Sequence, residues 1–145
     1  MAEQLPALTI RQPWAWAITH GTKRIENRTW TTQHRGPLAI HAGTRIDRGA
    51  LDDMRIRGTA HNLGQARPDY ELGAVIAVAQ LVHIHSCTRG LCSIWSAHGQ
   101  HHWELTDIRP LAEPVPCKGR LGLWPLPADA DAAVRAQLAA QDACA

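Results

Sequence analysis

"LTIRQPWAWAITHGTKRIENRTW", residues 8–30, changes its hydrophobic period twice within 23 residues, and the reading of the chain works outward from those changes. "ALTIR" at 7–11 alternates apolar and polar side chains, the pattern of a half-buried strand. "QPWAWAITHG" then takes helical period. Pro13 suits a first helical position, Trp14, Ala17 and Ile18 share a face, and Gly21 is expected to close about two turns in a left-handed conformation. "KRIENRTW" at 23–30 returns to strand-like alternation, so a charged segment leaves a helix and enters a sheet. In an extended segment Glu26, Arg28 and Trp30 fall on one side, close to Lys23.

The segment has two readings. One is an exposed Glu26–Arg28 pair worth under about 1 kcal/mol. The other is a binding edge, with an ammonium at Lys23, a forked guanidinium at Arg28 and an acceptor at Glu26.

Further along, "GPLAIHAG" at 36–43 reads as a strand after a Gly-Pro turn. Asp47 is expected to cap a helix through "RGALDDMRIRG" with Leu51 and Met54 inward and Gly58 at its end. "AVIAVAQLVHIHS" at 74–86 is the longest branched-residue strand, "HWELTDIRPL" alternates again, and "PVPCKGRLGLWPL" supplies a turn and a last short strand. Residues 127–145 have helical propensity, but their apolar face is mostly alanine, with Val134 and Leu138 and with Asp129 or Asp131 as cap; this tail is expected to fray.

A chain of 145 residues buries one core and is too short for two, so a single domain over residues 1–145 is expected. No apolar run approaches the roughly 20 residues of a bilayer span, and "MAEQLPALTIRQ" carries no secretory pattern, which points to a cytoplasmic protein with no membrane partner. Thirteen of the fifteen basic residues are arginine, and residues 11–57 hold nine Arg or Lys against four Asp or Glu, a concentration that suits an anionic partner.

His83, His85, Cys87, Cys92, His98, His101 and His102 are zinc-ligand types, but their spacing matches no familiar zinc framework and includes no CxxC pair. Free thiols, no metal and no cofactor are therefore expected.

Three segments, "LTIRQPWAWAITHGTKRIENRTW", "RGPLAIHAG" and "HWELTDIRPLAEPVPCKGRLGLWPL", together resemble the ASCH domain, the activating signal cointegrator homology family of the PUA-like superfamily. The likeness covers most of residues 8–126. The family pattern Gly, one residue, Lys, two residues, Glu, one residue, Arg falls on Gly21, Lys23, Glu26 and Arg28. "QPWA", Trp30, Arg35-Gly36 and "GLW" at 122–124 make the chain similar to the cointegrator-type branch.

The resemblance implies an α+β fold: a PUA-like β-barrel of five or six short strands with flanking helices. It also implies a cleft beside the first helix that holds RNA or single-stranded or modified nucleic acid, with DNA another possible ligand. Lys23, Glu26 and Arg28 would line it. Trp14 is either a wall or core packing, and Trp124 is expected in the core. Trp103 and His41 are candidates for the floor, His41 alternatively satisfying a buried hydrogen bond. Arg35, Lys118 and Arg120 are candidates for phosphate contacts at the rim.

Some family members hydrolyse acetylated cytidine or cut RNA. The small amidohydrolases resemble a Lys followed three residues later by Thr, where this chain has Glu26, and neither Thr22 nor Thr29 takes that place. An enzyme built on this cleft would use Lys23 or Glu26 as general base. A protein-binding module using the tryptophans is the third class of function.

Overall fold

The computed structural model describes residues 3–145, so residues 1 and 2 of the expected domain lie outside it. The described chain runs β1 (Pro6–Gln12), α1 (Trp14–His20), β2 (Ile25–Arg28), β3 (Gly36–Ile46), a 3-10 turn (Arg48–Ala50), α2 (Met54–Asn62), β4 (Ala74–His85), β5 (His101–Pro116), β6 (Leu123–Pro125) and α3 (Ala128–Ala143). Alternation in β1 and β3 divides the core between the two faces of the sheet. Leu8, Ile10, Leu38 and Ile40 pack with Ala15 and Ile18 of α1, whereas Ala7 and Ala39 pack with Ala130 and Val134 of α3. Helices cover both faces, which is why the first six residues of β4 are all buried.

The six strands form one mixed sheet in the order β2-β5-β4-β3-β1-β6, with β1 parallel to β3 and the other neighbours antiparallel. The α+β class holds, but the sheet is not closed into the expected barrel. Its edges are short, four residues in β2 and three in β6. The end of β6 sets Pro125 opposite Pro6, where neither residue has an N–H to offer a further ladder. Between β1 and β2 a side chain crosses the gap instead: the Arg28 guanidinium donates to the Thr9 carbonyl at 3.0 Å.

Local expectations fail where a tertiary contact outweighs the sequence cue. Gly21 ends α1 in extended backbone, φ −110° and ψ −154°, not in the left-handed region. Glycine fits there for want of space, since a Cβ would lie 2.7 Å from Thr59 Cγ2 and 2.8 Å from the Ala17 carbonyl oxygen. Asp47 does not cap the second helix, because its carboxylate accepts the Trp14 indole N–H at 3.1 Å. The helix begins later, capped by Asp53 through the Arg55 N–H, and it runs through Gly58 and leaves Met54 86% exposed.

The C-terminal helix is docked rather than frayed, and neither Asp129 nor Asp131 caps it; Pro127 stands at its N-cap with no side-chain cap bond. Val134 is fully buried beside Val75, Val78, Val115, Trp124 and Leu126. Asp131 accepts the Leu5 N–H at 2.7 Å, and Gln137 pairs with both backbone groups of Glu113 at 3.0 and 2.7 Å. These partners stand far away in sequence, which is why an alanine-rich stretch on its own does not announce them.

Candidate functional site

At the open seam between β1 and β2 lies a cleft of about 990 Å³. Its walls are Thr9, Ile10 and Arg11 of β1, residues 26–30 of β2 and the turn after it, the far end of β3, and the loop 117–122. Among the described lining residues Arg11, Arg28, Arg45, Lys118 and Arg120 are cationic and Glu26 alone is acidic. Trp14 and Trp30 supply aromatic surface.

Glu26 is the charged group at the centre of this geometry. It is 6% exposed, with Lys23 Nζ 3.4 Å from Oε1 and Arg28 Nη2 2.9 Å from Oε2. A carboxylate offers about four lone-pair directions, so two cations leave it room to accept a further hydrogen bond from the cleft. Lys23 is 2% exposed and does not line the cleft. Its ammonium donates to the Ile25 carbonyl as well as meeting Glu26. Burial drives its pKa below the ordinary lysine value, opposed mainly by the Glu26 charge. Lys23 thus props Glu26 from a buried position outside the cleft lining.

Trp14 belongs to both of its expected settings. It lines the cleft and packs against the core, its indole N–H held by Asp47. Lys23 Nζ lies 5.7 Å and Arg55 Cζ 5.3 Å from its ring, both within cation–π range. Arg55 is held there by a forked pair with Asp53, at 2.7 and 2.9 Å, which lowers the Asp53 pKa and raises that of Arg55. Trp30 is backed edge-on by Trp103 at 4.9 Å, and the Trp103 N–H bonds the Trp30 carbonyl. Trp103 is therefore a fully buried support behind the wall, not part of the floor.

His41 lines the cleft and also makes the buried hydrogen bonds that were its alternative reading. Its Nε2 faces the Cys117 carbonyl at 2.8 Å, so Nε2 carries the proton and Nδ1 accepts from the Thr9 hydroxyl at 3.2 Å. Thr9 Oγ1 in turn accepts the N–H of Trp124, which is core as expected, at 3.1 Å. Burial lowers the His41 pKa, with the Cys117 hydrogen bond as a weaker opposing cause. The loop closes over this ring at Gly119, where a Cβ would lie 2.8 Å from both His41 Cε1 and Thr9 Oγ1.

Arg35 lies outside the cleft lining: its guanidinium turns back on the carbonyls of Thr32 and His34, both at 2.8 Å. Lys118 and Arg120 are exposed on the loop that forms one wall. Arg11 and Arg45 are absent from the expectations. The cue that finds them is pairing: β1 and β3 are parallel, so residues near their C-terminal ends emerge at the same side of the sheet.

An open six-stranded α+β sheet of the PUA-like kind, with a basic, tryptophan-walled cleft at its unclosed seam, defines the class of protein. A family profile described as the ASCH domain matches residues 8–114, and the chain belongs to the ASCH domain family. Two solved structures share the fold. They are two mutant forms of ZmASCH from Zymomonas mobilis, at TM-scores of 0.56 and 0.54 and identities of 14% and 13%. Each alignment covers 92% of this chain and 97% or 96% of the other.

Activating signal cointegrator 1 from Homo sapiens and from Mus musculus each show 51% identity over 35 residues, 24% of this chain. The match spans 6% of either relative's length. Among the described residues no helix is long and apolar enough to cross a membrane.

Proposed function

We propose that the cleft binds RNA, or another single-stranded or modified nucleic acid. The observation that carries this reading is the charge of the lining, five cationic side chains and one carboxylate around a trough walled by Trp14 and Trp30. Phosphates would meet the exposed rim cations and bases would stack on the indole faces, the two sources of single-strand affinity. Glu26, held in place by Lys23 and Arg28, is the acceptor for a base amino group. Family membership agrees with this reading. The test is anisotropy of labelled single-stranded RNA and DNA across a salt series. Replacing Arg45, Lys118 or Arg120 by Ala should weaken binding and flatten the slope of log K against log salt by about 0.7 per lost phosphate contact. Unchanged slopes in all three variants would reject it.

A second, hydrolytic reading rests on one arrangement: the Thr9 hydroxyl 3.2 Å from a buried His41 within the same cleft. That pairing has the reach a hydroxyl nucleophile and its base need. It does not depend on the missing hydroxyl at position 26, nor on Lys23, which is buried outside the cleft lining. Hydrolysis of an acetylated nucleoside that His41→Gln abolishes, with binding retained, would favour it over binding alone.

A further inference from the structure

The β4–β5 hairpin opens into 15 residues, 86–100, without a regular element, an unusually long stretch for a tight sheet. At its base the chain brings together His85, Cys87, Cys92 and His102, whose ligand atoms all lie within 4.8 Å of one another. We propose that these four side chains form a structural zinc site that clamps this loop to the hairpin.

The donor set is two imidazoles and two thiols, the chemistry of a closed tetrahedral zinc centre. Two of the edges already have tetrahedral lengths. Cys92 Sγ lies 3.2 Å from His85 Nε2 and 3.6 Å from His102 Nδ1, where bonds of about 2.3 Å to sulfur and 2.0 Å to nitrogen require edges of roughly 3.5 Å. The two histidines are cross-strand partners, His85 ending β4 and His102 near the start of β5, so sheet register sets half of the site.

The outward nitrogens supply the second argument. His85 Nδ1 faces the Glu104 carboxylate at 3.0 Å, and His102 Nε2 faces the Ala97 carbonyl at 2.7 Å. A carboxylate and a carbonyl only accept, so the proton of each neutral ring sits on the outward nitrogen. The inward nitrogens, His85 Nε2 and His102 Nδ1, keep their lone pairs, and both stand beside Cys92 Sγ. Carboxylate and carbonyl partners of this kind fix the tautomer of zinc-bound histidines.

The order His85, Cys87, Cys92, His102 places both cysteines between the two histidines. Spacing rules that follow a cysteine pair with a histidine pair pass over it, because the hairpin and not the local chain brings the two histidines together. The clamp has a structural consequence for β2. The loop holds Asn27, between Glu26 and Arg28, through the Trp95 carbonyl at 2.9 Å and the Ala97 N–H at 2.8 Å. Zinc would therefore stiffen the strand that carries the cleft's charged residues.

The test uses the full chain, expressed with added zinc, freed of any affinity tag and dialysed. Elemental analysis should find close to one zinc per chain, and cobalt(II) added to the stripped protein should give the visible bands of a tetrahedral, thiolate-ligated ion. Cys92→Ser, at an exposed position, should lose both signals while circular dichroism shows the fold retained, and chelation should lower the melting temperature of wild type but not of Cys92→Ser. His83→Ala is the control. His83 belongs to the neighbouring group with His85 and Glu104, and its loss should leave the metal bound. Sub-stoichiometric zinc with no cobalt spectrum would overturn the proposal. So would metal that survives Cys92→Ser, or that departs with His83→Ala.

Discussion

Glu26→Gln tests whether the buried triad works as described. The carboxylate faces Lys23 at 3.4 Å and Arg28 at 2.9 Å, attractions of roughly 5 and 6 kcal/mol at an effective dielectric of 20, set against the cost of desolvating all three groups. Arg28 keeps the Thr9 carbonyl and some solvent, but Lys23 keeps only the Ile25 carbonyl and is 2% exposed. Breaking a buried pair from one side typically costs 3–5 kcal/mol, and the partial rescue of Arg28 sets the expectation at about 3 kcal/mol near neutral pH. In urea this moves the unfolding midpoint by about 1.5 M for a slope of roughly 2 kcal/mol per molar.

The loss should also depend on pH with a definite sign. Glu26 is the main influence raising the Lys23 pKa against burial, so removing its charge lowers that pKa further. A lysine depressed in the folded state contributes its stability above the unfolded value, near 10.4, and loses it as pH falls through the folded value. The deficit of Glu26→Gln relative to wild type should therefore shrink as pH rises towards the unfolded value. The double variant Lys23→Met/Glu26→Gln should recover most of the loss at pH 7, a coupling measured by a double-mutant cycle. A midpoint shift below about 0.3 M at pH 7, or one that does not change with pH, would refute the reasoning.

Other expectations follow from single contacts. Gly119→Ala should displace the loop 117–122, costing about 1–3 kcal/mol and weakening nucleic-acid binding, checked by urea melts and anisotropy on the same sample. Lys23→Met should leave the salt slope of binding unchanged because its ammonium is buried outside the cleft lining; a flattened slope would put a phosphate on it. Leu126→Ala, at 1% exposure beneath α3, should cost about 3 kcal/mol, whereas Leu121→Ser, at 98% exposure, should cost under about 0.5 kcal/mol. His41 and His20 both have pKa values lowered chiefly by burial, so stability should fall as pH drops below about 6.5 and go on falling through the folded values; His41→Gln should lessen that slope in acid melts.

The strands, α1 and the charge-bearing turn are legible in the sequence because their information is local: alternation in "ALTIR", helical period in "QPWAWAITHG", a branched run at 74–86. The open sheet is not legible, since closure depends on whether β6 can find β2, and alternation says nothing about the length of an edge. Asp47 reads as a cap until Trp14 claims its carboxylate, and Asp53 reads as nothing in particular until Arg55 forks onto it. In the cleft, spacing brings out Glu26 and Arg28, and the resemblance adds Lys118 and Arg120. Arg11 and Arg45 need the parallel pairing of β1 with β3, and the separate fates of Lys23, Trp103 and Arg35 need burial. His85, Cys87, Cys92 and His102 stand out in the sequence as ligand types but not as the proposed cluster, because the two histidines meet only through strand register.

Photocrosslinking tests the central claim most directly. A short single-stranded RNA carrying 4-thiouridine, irradiated with the wild-type protein and digested for peptide mass spectrometry, should attach to residues 26–30 and 117–122. Attachment should fall in the Lys118→Ala/Arg120→Ala variant, which keeps the aromatic wall but loses two rim cations. Crosslinks confined to α3 or α2, or equal yields from wild type and variant, would contradict a nucleic-acid site at the open seam of the sheet.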